Sequence, residues 1–326
     1  MTEGTMRKYI TEWTIGITVS AAAVGRPQDF QRKGIPKTDN PCHLYFVTRR
    51  PRMSIDPSSV VITDNEFSGI LRLQREASWD KFPIRSPHQF GPGPWRWTSD
   101  WPYENFAVKD AEEQTISSGV VANLHVWFTE WPIVAKKHDI VYIGQAFGQA
   151  GERTAWDRLK SHETVQRILA ETTPDKQVWL TLAAISDENL FPEIDPTVPT
   201  AKSSAEDDEH IELVVEEVNS GSFREKEAVA LAEAGLIRFF QPQYNDRMKY
   251  SFPARKQVSL ESVRRLDFHG LLVELQSHGV DALYGSEVRK HSKIHFAGFV
   301  IHQDDKRAKT MFLTVADALP GMPTNT

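Results

Sequence analysis

The sequence predicts an α+β protein with strand-rich segments at both ends and its long helices in the middle. Three observations carry that expectation. Period-two alternation opens the chain, with Tyr9, Thr11, Trp13, Ile15, Ile17 and Val19 on one side and Glu12, Thr14, Thr18 and Ser20 on the other. Strand and helix signals alternate through residues 140–245. Strand-type runs return at 271–275, 294–301 and 311–315. At 326 residues the chain is long for a single core. Three parts are therefore expected: a β-rich lobe over 1–119, a central domain over 120–250 and a small β-rich lobe over 251–326.

Composition narrows the function classes. The formal net charge is −6, so any polyanion site has to be a local basic patch. The single cysteine, Cys42, excludes an internal disulfide framework and a multi-cysteine zinc site. It suits a reducing, cytoplasmic compartment. No run approaches the roughly 18 apolar residues of a membrane span, so no membrane partner is expected. The apolar start is interrupted by Glu3 and Glu12 and reads as a strand rather than a signal peptide.

Taken in order, a loop with Pro27, Gly34 and Pro36 leads to strands at 42–47, 60–62 and 69–73. Trp79, Trp95, Trp97 and Trp101 follow, interleaved with Arg85 and Arg96. Such tryptophans can stack on bases, but anchoring a small β core is the simpler use. A hairpin is expected next. Leu124, Val126 and Phe128 alternate with His125 and Trp127, Lys136-Lys137-His138-Asp139 turns the chain, and Ile140-Val141-Tyr142-Ile143 returns. Gly144, Gly148 and Gly151 then mark a loop without the Gly-Lys-Ser/Thr of a nucleotide site.

Thr154 caps a helix running to Glu171, with Arg158 and His162 one turn apart on it. A third strand at 178–182 is expected to join the hairpin. Prolines 192, 196 and 199 and the acidic run from Ser203 to Glu209 suggest a mobile acidic insertion over 186–209. A long helix over 223–240 places Glu233 on the stripe of Val229 and Ile237, where a carboxylate needs a cation or donors. Gly235 costs that helix about 1 kcal/mol relative to alanine, a local irregularity of the sort expected near functional sites. Beyond Asn245 come Arg247, Lys249, Arg255 and Lys256, a basic run. His291, His295 and His302 cluster only in sequence and read as surface histidines rather than a zinc site.

Phosphodiester hydrolysis needs an activated water, charge compensation at phosphoryl oxygens and help for the leaving oxygen. Glu233, Arg158, Tyr142 and His162 supply a carboxylate for a divalent cation, a guanidinium for phosphate and two proton-handling groups. Their order and flanks resemble the GIY-YIG nuclease family over residues 124–245. Val141-Tyr142-Ile143-Gly144 is similar to the second half of the namesake signature. Arg158 with His162 is similar to its helix arginine and following histidine. Glu233-Ala234-Gly235-Leu236-Ile237 and Pro242-Gln243-Tyr244-Asn245 resemble its Glu-x-x-Leu-Ile helix and Pro-x-Tyr-Asn exit.

The resemblance implies a three-stranded antiparallel sheet flanked by helices, with β-rich N-terminal and C-terminal lobes outside it. It implies Mg²⁺ or Mn²⁺ held by Glu233, Arg158 on the scissile phosphate, Tyr142 at the attacking water and Asn245 in support. The expected activity is DNA endonuclease cleavage leaving a 5′-phosphate and a 3′-hydroxyl, in restriction, defence or mobile-element biology. Lys136, Lys137, Lys160, Arg238, Arg247 and Lys249 are the candidate backbone contacts. Two departures stand out. The expected Gly-Ile-Tyr is matched best by His125-Val126-Trp127, whose Trp127 has no ionisable hydroxyl, and the loop from Gly144 to Arg158 is long. The rival reading is a catalytically decayed nucleic-acid-binding or assembly protein.

Overall fold

The computed structural model describes residues 6–33, 38, 40–128, 130–145, 163–220, 225–254, 257 and 260–301. In chain order its strands are β1 (Thr11–Gly25), β2 (Leu44–Pro51), β3 (Met53–Ile55), β4 (Val61–Ile62), β5 (Glu66–Arg75), β6 (Ser78–Pro87), β7 (Arg96–Thr98) and β8 (Asn105–Lys109). They continue with β9 (Thr115–Val120), β10 (Lys137–Gln145), β11 (Lys176–Ile194), β12 (Gly270–Gln276), β13 (Leu283–Ser286), β14 (Arg289–Ser292) and β15 (Ile294–Val300). The helices are α1 (Pro27–Lys33), α2 (Glu163–Glu171), α3 (Ser204–Asn219), α4 (Glu225–Phe240) and α5 (Glu261–Arg265).

One eight-stranded sheet, in the order β14-β13-β10-β2-β11-β1-β12-β15, organises the molecule. This overturns the expected three-stranded sheet with separate lobes before and after it. The strands at the start of the chain and those after residue 270 are not lobes. β1 pairs antiparallel with β11 and parallel with β12, so both ends enter one sheet. The divisions expected at 119/120 and 250/251 therefore do not follow the sheet. Sequence periodicity could not reveal this, because it reports which face of a strand is buried and not which strand lies beside it.

β2 explains why the sheet is anchored where it is. Leu44 and Phe46 point into one core, Tyr45 and Val47 into another, and none of the four is exposed. A short continuous apolar run of this kind suits a strand covered on both faces. β2 pairs antiparallel with β10 on one side and β11 on the other. On the Leu44 face lies α4, most of whose apolar side chains from Ala228 to Phe240 join the main core. On the Tyr45 face lie Phe30 of α1 and Val165 and Ile168 of α2.

Residues 52–136 are inserted between two neighbouring strands. They fold into a sheet of β3, β5 and β4 with β6 on β5, and a second sheet of β7, β8 and β9. A separate core holds them together, with Met53, Phe67, Leu71 and Phe106 packed with Trp179 of β11. Trp97 stacks on Phe106 at 4.6 Å between ring centroids, so that tryptophan is an anchor as anticipated. The strand expected around Leu124–Phe128 is instead a 3₁₀ turn over Val121–Val126. Val121, Ala122 and Leu124 are buried while Val126 and Trp127 face solvent, a spacing that a strand cannot bury on one face.

The expected mobile acidic insertion is ordered. β11 runs to Ile194 along the length of β1. Ser203 then starts α3 with a capping box, its hydroxyl accepting from Glu206 N–H while Glu206 reaches back to Ser203 N–H at 2.9 Å. Asp207 is buried and accepts from Thr11 N–H at 3.0 Å, tying α3 to β1. The acidic residues are the first turn of a helix, where carboxylates suit the dipole.

Gly235 is explained by packing. A β-carbon there would sit 2.9 Å from Val273 Cγ2 on β12 and 3.1 Å from Phe299 Cε2 on β15, so α4 lies on the sheet closer than alanine permits. Gly235→Ala should therefore lower stability despite the roughly 1 kcal/mol of helix propensity it restores. A midpoint in urea that rises would show that α4 can shift.

Candidate functional site

β10 is the strand on which the site is built. A bulge between Ile140 and Tyr142 shifts its register, so Tyr142 stands opposite Val47 and Gly144 opposite Tyr45. Tyr45 and Tyr142 therefore share a face on adjacent strands, with ring centroids 6.0 Å apart and planes at 40°. Gly144 is required between them. A β-carbon at that position would lie 2.6 Å from Tyr45 Cζ, 2.7 Å from its hydroxyl oxygen and 2.9 Å from Tyr142 Cε1. Tyr45 is buried at 1 % exposure, whereas Tyr142 is only partly covered and reaches toward solvent.

Sequence reasoning missed Tyr45. It sits in His43-Leu44-Tyr45, and the strand that carries it pairs with β10 across the whole inserted segment. Trp127, the match found in sequence, packs edge-on against Phe106 at 5.9 Å and belongs to the inserted segment. The signal is a tyrosine in an apolar strand, separated from β10 by the inserted segment and masked by the hairpin-like alternation at 124–128.

The segment after α4 closes the outer edge of β10. β13 pairs with β10 only over Lys137, His138 and Asp139. Beyond that point Tyr244 N–H donates to Val141 C=O at 3.0 Å. The Asn245 side chain accepts from Ile143 N–H at 2.9 Å and donates to Ile143 C=O at 2.8 Å, imitating a strand partner. Asn245 is thus a fastening for β10. Asn245→Ala should cost about 2–3 kcal/mol by leaving a buried amide and carbonyl without partners. Urea denaturation measures this, and a loss below about 0.5 kcal/mol would mean that the edge is not held there.

Around Tyr244 a polar cluster forms at the same edge. Arg49 Nη2 donates to the Tyr244 hydroxyl at 2.7 Å, and that hydroxyl donates to Glu171 Oε2 at 2.6 Å. Arg167 lies over the Tyr244 ring at 5.0 Å. Burial, then the bond to Glu171, pushes the Tyr244 hydroxyl above its ordinary pKa, so it stays protonated and structural.

Glu233 is half-buried and engaged with neighbouring groups, on a helix whose remaining faces are largely closed. α4 packs against β10 from the face that carries Ile140 and Ile143, opposite the face of the tyrosines. The two sets of groups approach the same strand from its two sides. Arg158, His162 and Lys160 lie outside the described residues. Among the described residues no group of three or more metal-ligating side chains occurs. A single carboxylate is nonetheless a donor set suited to Mg²⁺, which keeps several waters and takes further oxygens from phosphate.

The expected backbone contacts divide. Lys136 is paired with Asp281 at 2.6 Å, so its charge is committed within the fold. Lys137 opens β10 in a partly covered position. Arg238 donates to Lys249 C=O at 3.1 Å, Lys249 approaches the exposed Tyr250 ring at 5.7 Å, and Arg247 is exposed. His291 bonds Asp139 at 2.9 Å and His295 bonds Tyr284 C=O at 2.8 Å, which keeps them apart as ligands; His302 lies outside the described residues. No helix of the described residues is long and apolar enough to cross a membrane. Neither a family model, nor a curated protein, nor a solved structure matches the chain.

Proposed function

We propose that the chain is a metal-dependent DNA endonuclease of the GIY-YIG type, with Tyr142 on β10, Glu233 on α4 and Arg158 as its principal groups. The observation that carries the reading is the pairing of Tyr45 with Tyr142 across Gly144. The sequence motif Tyr142-Ile143-Gly144 lacked a companion tyrosine in Trp127, and Tyr45 supplies one. With a tyrosine packed beside Tyr142, the mismatch at Trp127 no longer counts as evidence for a decayed, purely binding protein.

In this reading Tyr142, which is partly exposed, orients the attacking water and, in its deprotonated form, accepts the water's proton. Tyr45, sealed beneath it, holds Tyr142 in position. Arg158 binds the scissile phosphate through a charge-assisted contact. Glu233 would hold Mg²⁺ or Mn²⁺, which when bound supplies charge compensation at the phosphoryl oxygens. Asn245 fixes the strand that carries Tyr142. Products are a 5′-phosphate and a 3′-hydroxyl. Arg247 and Lys249, immediately after Asn245, contact the DNA backbone.

Nicking of supercoiled plasmid in Mg²⁺ or Mn²⁺, with EDTA as the blank, tests this directly. The wild-type protein is expected to nick, and Glu233→Ala and Arg158→Ala to abolish nicking. Activity that survived Glu233→Ala would remove the proposed site. Folded protein that binds DNA yet cuts no plasmid, structured or modified substrate would leave the binding reading in its place.

A further inference from the structure

We infer that the open face of the β3, β5 and β6 sheet is a docking surface for single-stranded DNA. The choice of DNA over other polyanions rests on the proposed endonuclease activity; the surface itself stands on separate observations. Strand register sets which side chains share this face. Arg72 is paired with Ser54 on β3 and Lys81 on β6, Ile70 with Pro83, Gln74 with Trp79 and Ser68 with Arg85. The opposite face carries Phe67, Leu71, Leu73 and Ile84 into the core of the inserted segment. The open face therefore keeps an exposed tryptophan and three cations for which the core has no use.

These groups are arranged, not scattered. The Arg72 guanidinium lies 5.4 Å from the Trp79 ring and 5.7 Å from the Tyr103 ring, a cation between two aromatic rings. Tyr103 adopts φ 66°, a conformation uncommon for a residue with a side chain. It is held there by Tyr103 N–H donating to Asp100 C=O at 2.7 Å and by Ile55 N–H donating to Tyr103 C=O at 3.3 Å. Trp79 is 38 % exposed, and Trp101 in the loop before Tyr103 is 82 % exposed. Rings fixed in this way offer flat apolar faces at little entropic cost.

Charge selects the partner. Arg72, Lys81 and Arg85 stand on the face together with one carboxylate, Glu66, and a second, Asp56, borders it. Asp56 approaches Arg72 at 3.5 Å and Glu66 approaches Arg85 at 3.3 Å, both pairs with solvent access, so a phosphate can replace either carboxylate. A local positive excess on a chain of net charge −6 favours a polyanion at this face. The exposed parts of Trp79 and Trp101 favour bases that are not already stacked in a duplex, hence a single strand. The substrate class that follows is DNA with a single-stranded portion.

Fluorescence anisotropy of labelled (dT)15 with the full chain in EDTA tests the surface, since chelation separates binding from metal-dependent cleavage. Trp79→Ala is expected to weaken binding roughly 10-fold, and Trp79→Phe to keep most of it. Lys81→Ala and Arg85→Ala should each lower the slope of log affinity against log salt by about 0.7. A 15-base-pair duplex should show no dependence on Trp79. Circular dichroism checks that each variant is folded. Binding of (dT)15 that is absent, or unchanged in folded Trp79→Ala, would overturn the surface. Trp79-dependent binding without nicking of any substrate would sustain the surface and remove the endonuclease reading.

Discussion

Tyr142→Phe should lower metal-dependent nicking by about 100-fold or more, the scale of a lost proton-transfer group. Its fold should be unaffected, because the ring that packs beside Tyr45 remains. The loss should be accompanied by a change in the ascending limb of the pH–rate profile, which a proton-accepting group sets. Tyr45→Phe should behave differently. Tyr45 is sealed from solvent with its ring beneath Gly144, so its hydroxyl can act only through its neighbours. That variant should lower kcat with the ascending limb in place. Equal pH profiles for the two variants would reverse or erase the division of roles. Full activity in Tyr142→Phe would exclude it as the proton acceptor.

A second large effect concerns stability against pH. Burial, the largest cause in each case, holds His125, His138 and His295 below the ordinary histidine pKa. His138 is lowered furthest, with the buried Arg50 adding repulsion; its Nδ1 faces Thr48 Oγ1 at 2.9 Å. In the unfolded chain each histidine takes a proton near pH 6.5, while in the folded chain it stays neutral to lower pH. The unfolded state then binds more protons, so stability must fall as pH drops below about 6.5. Between pH 7.5 and 5.5 stability should therefore fall, with His138 contributing most. Urea denaturation across that range measures the loss, and His138→Gln should flatten the profile even if its stability at pH 7.5 is lower. A profile already flat in the wild-type chain would mean that these histidines bind protons alike in the folded and unfolded states.

Local chemistry was legible in the sequence, and the neighbours of each element were not. The strand through Tyr142 and the helix through Glu233 follow from alternation and from apolar spacing, and both exist. The exit through Tyr244 and Asn245 was recognised by residue type, but its role as a substitute strand for β10 depends on β13 stopping at Asp139. Tyr45 was invisible as a companion of Tyr142 because residues 52–136 separate the two strands and offered Trp127 nearer in sequence. The Ser203–Glu209 run was misread for a different reason. Its charge suggested solvent, and the Ser-x-x-Glu spacing that starts α3 was the stronger signal. Gly235, a helix irregularity of the kind expected near functional sites, answers instead to the approach of Val273 and Phe299.

The parallel pairing of β1 with β12 also governs how the molecule can be made. Thr14 is in register with Gly270, so one edge of β1 waits for its partner until most of the chain has left the ribosome. At about 5–20 residues per second that delay is on the order of 10–50 s. During this time Thr14-Ile15-Gly16-Ile17-Thr18-Val19, a run without charge and rich in β-branched residues, has one side open to other nascent chains. Yield should therefore depend on synthesis rate and on chaperones that shield extended segments, more than on the stability of the finished sheet.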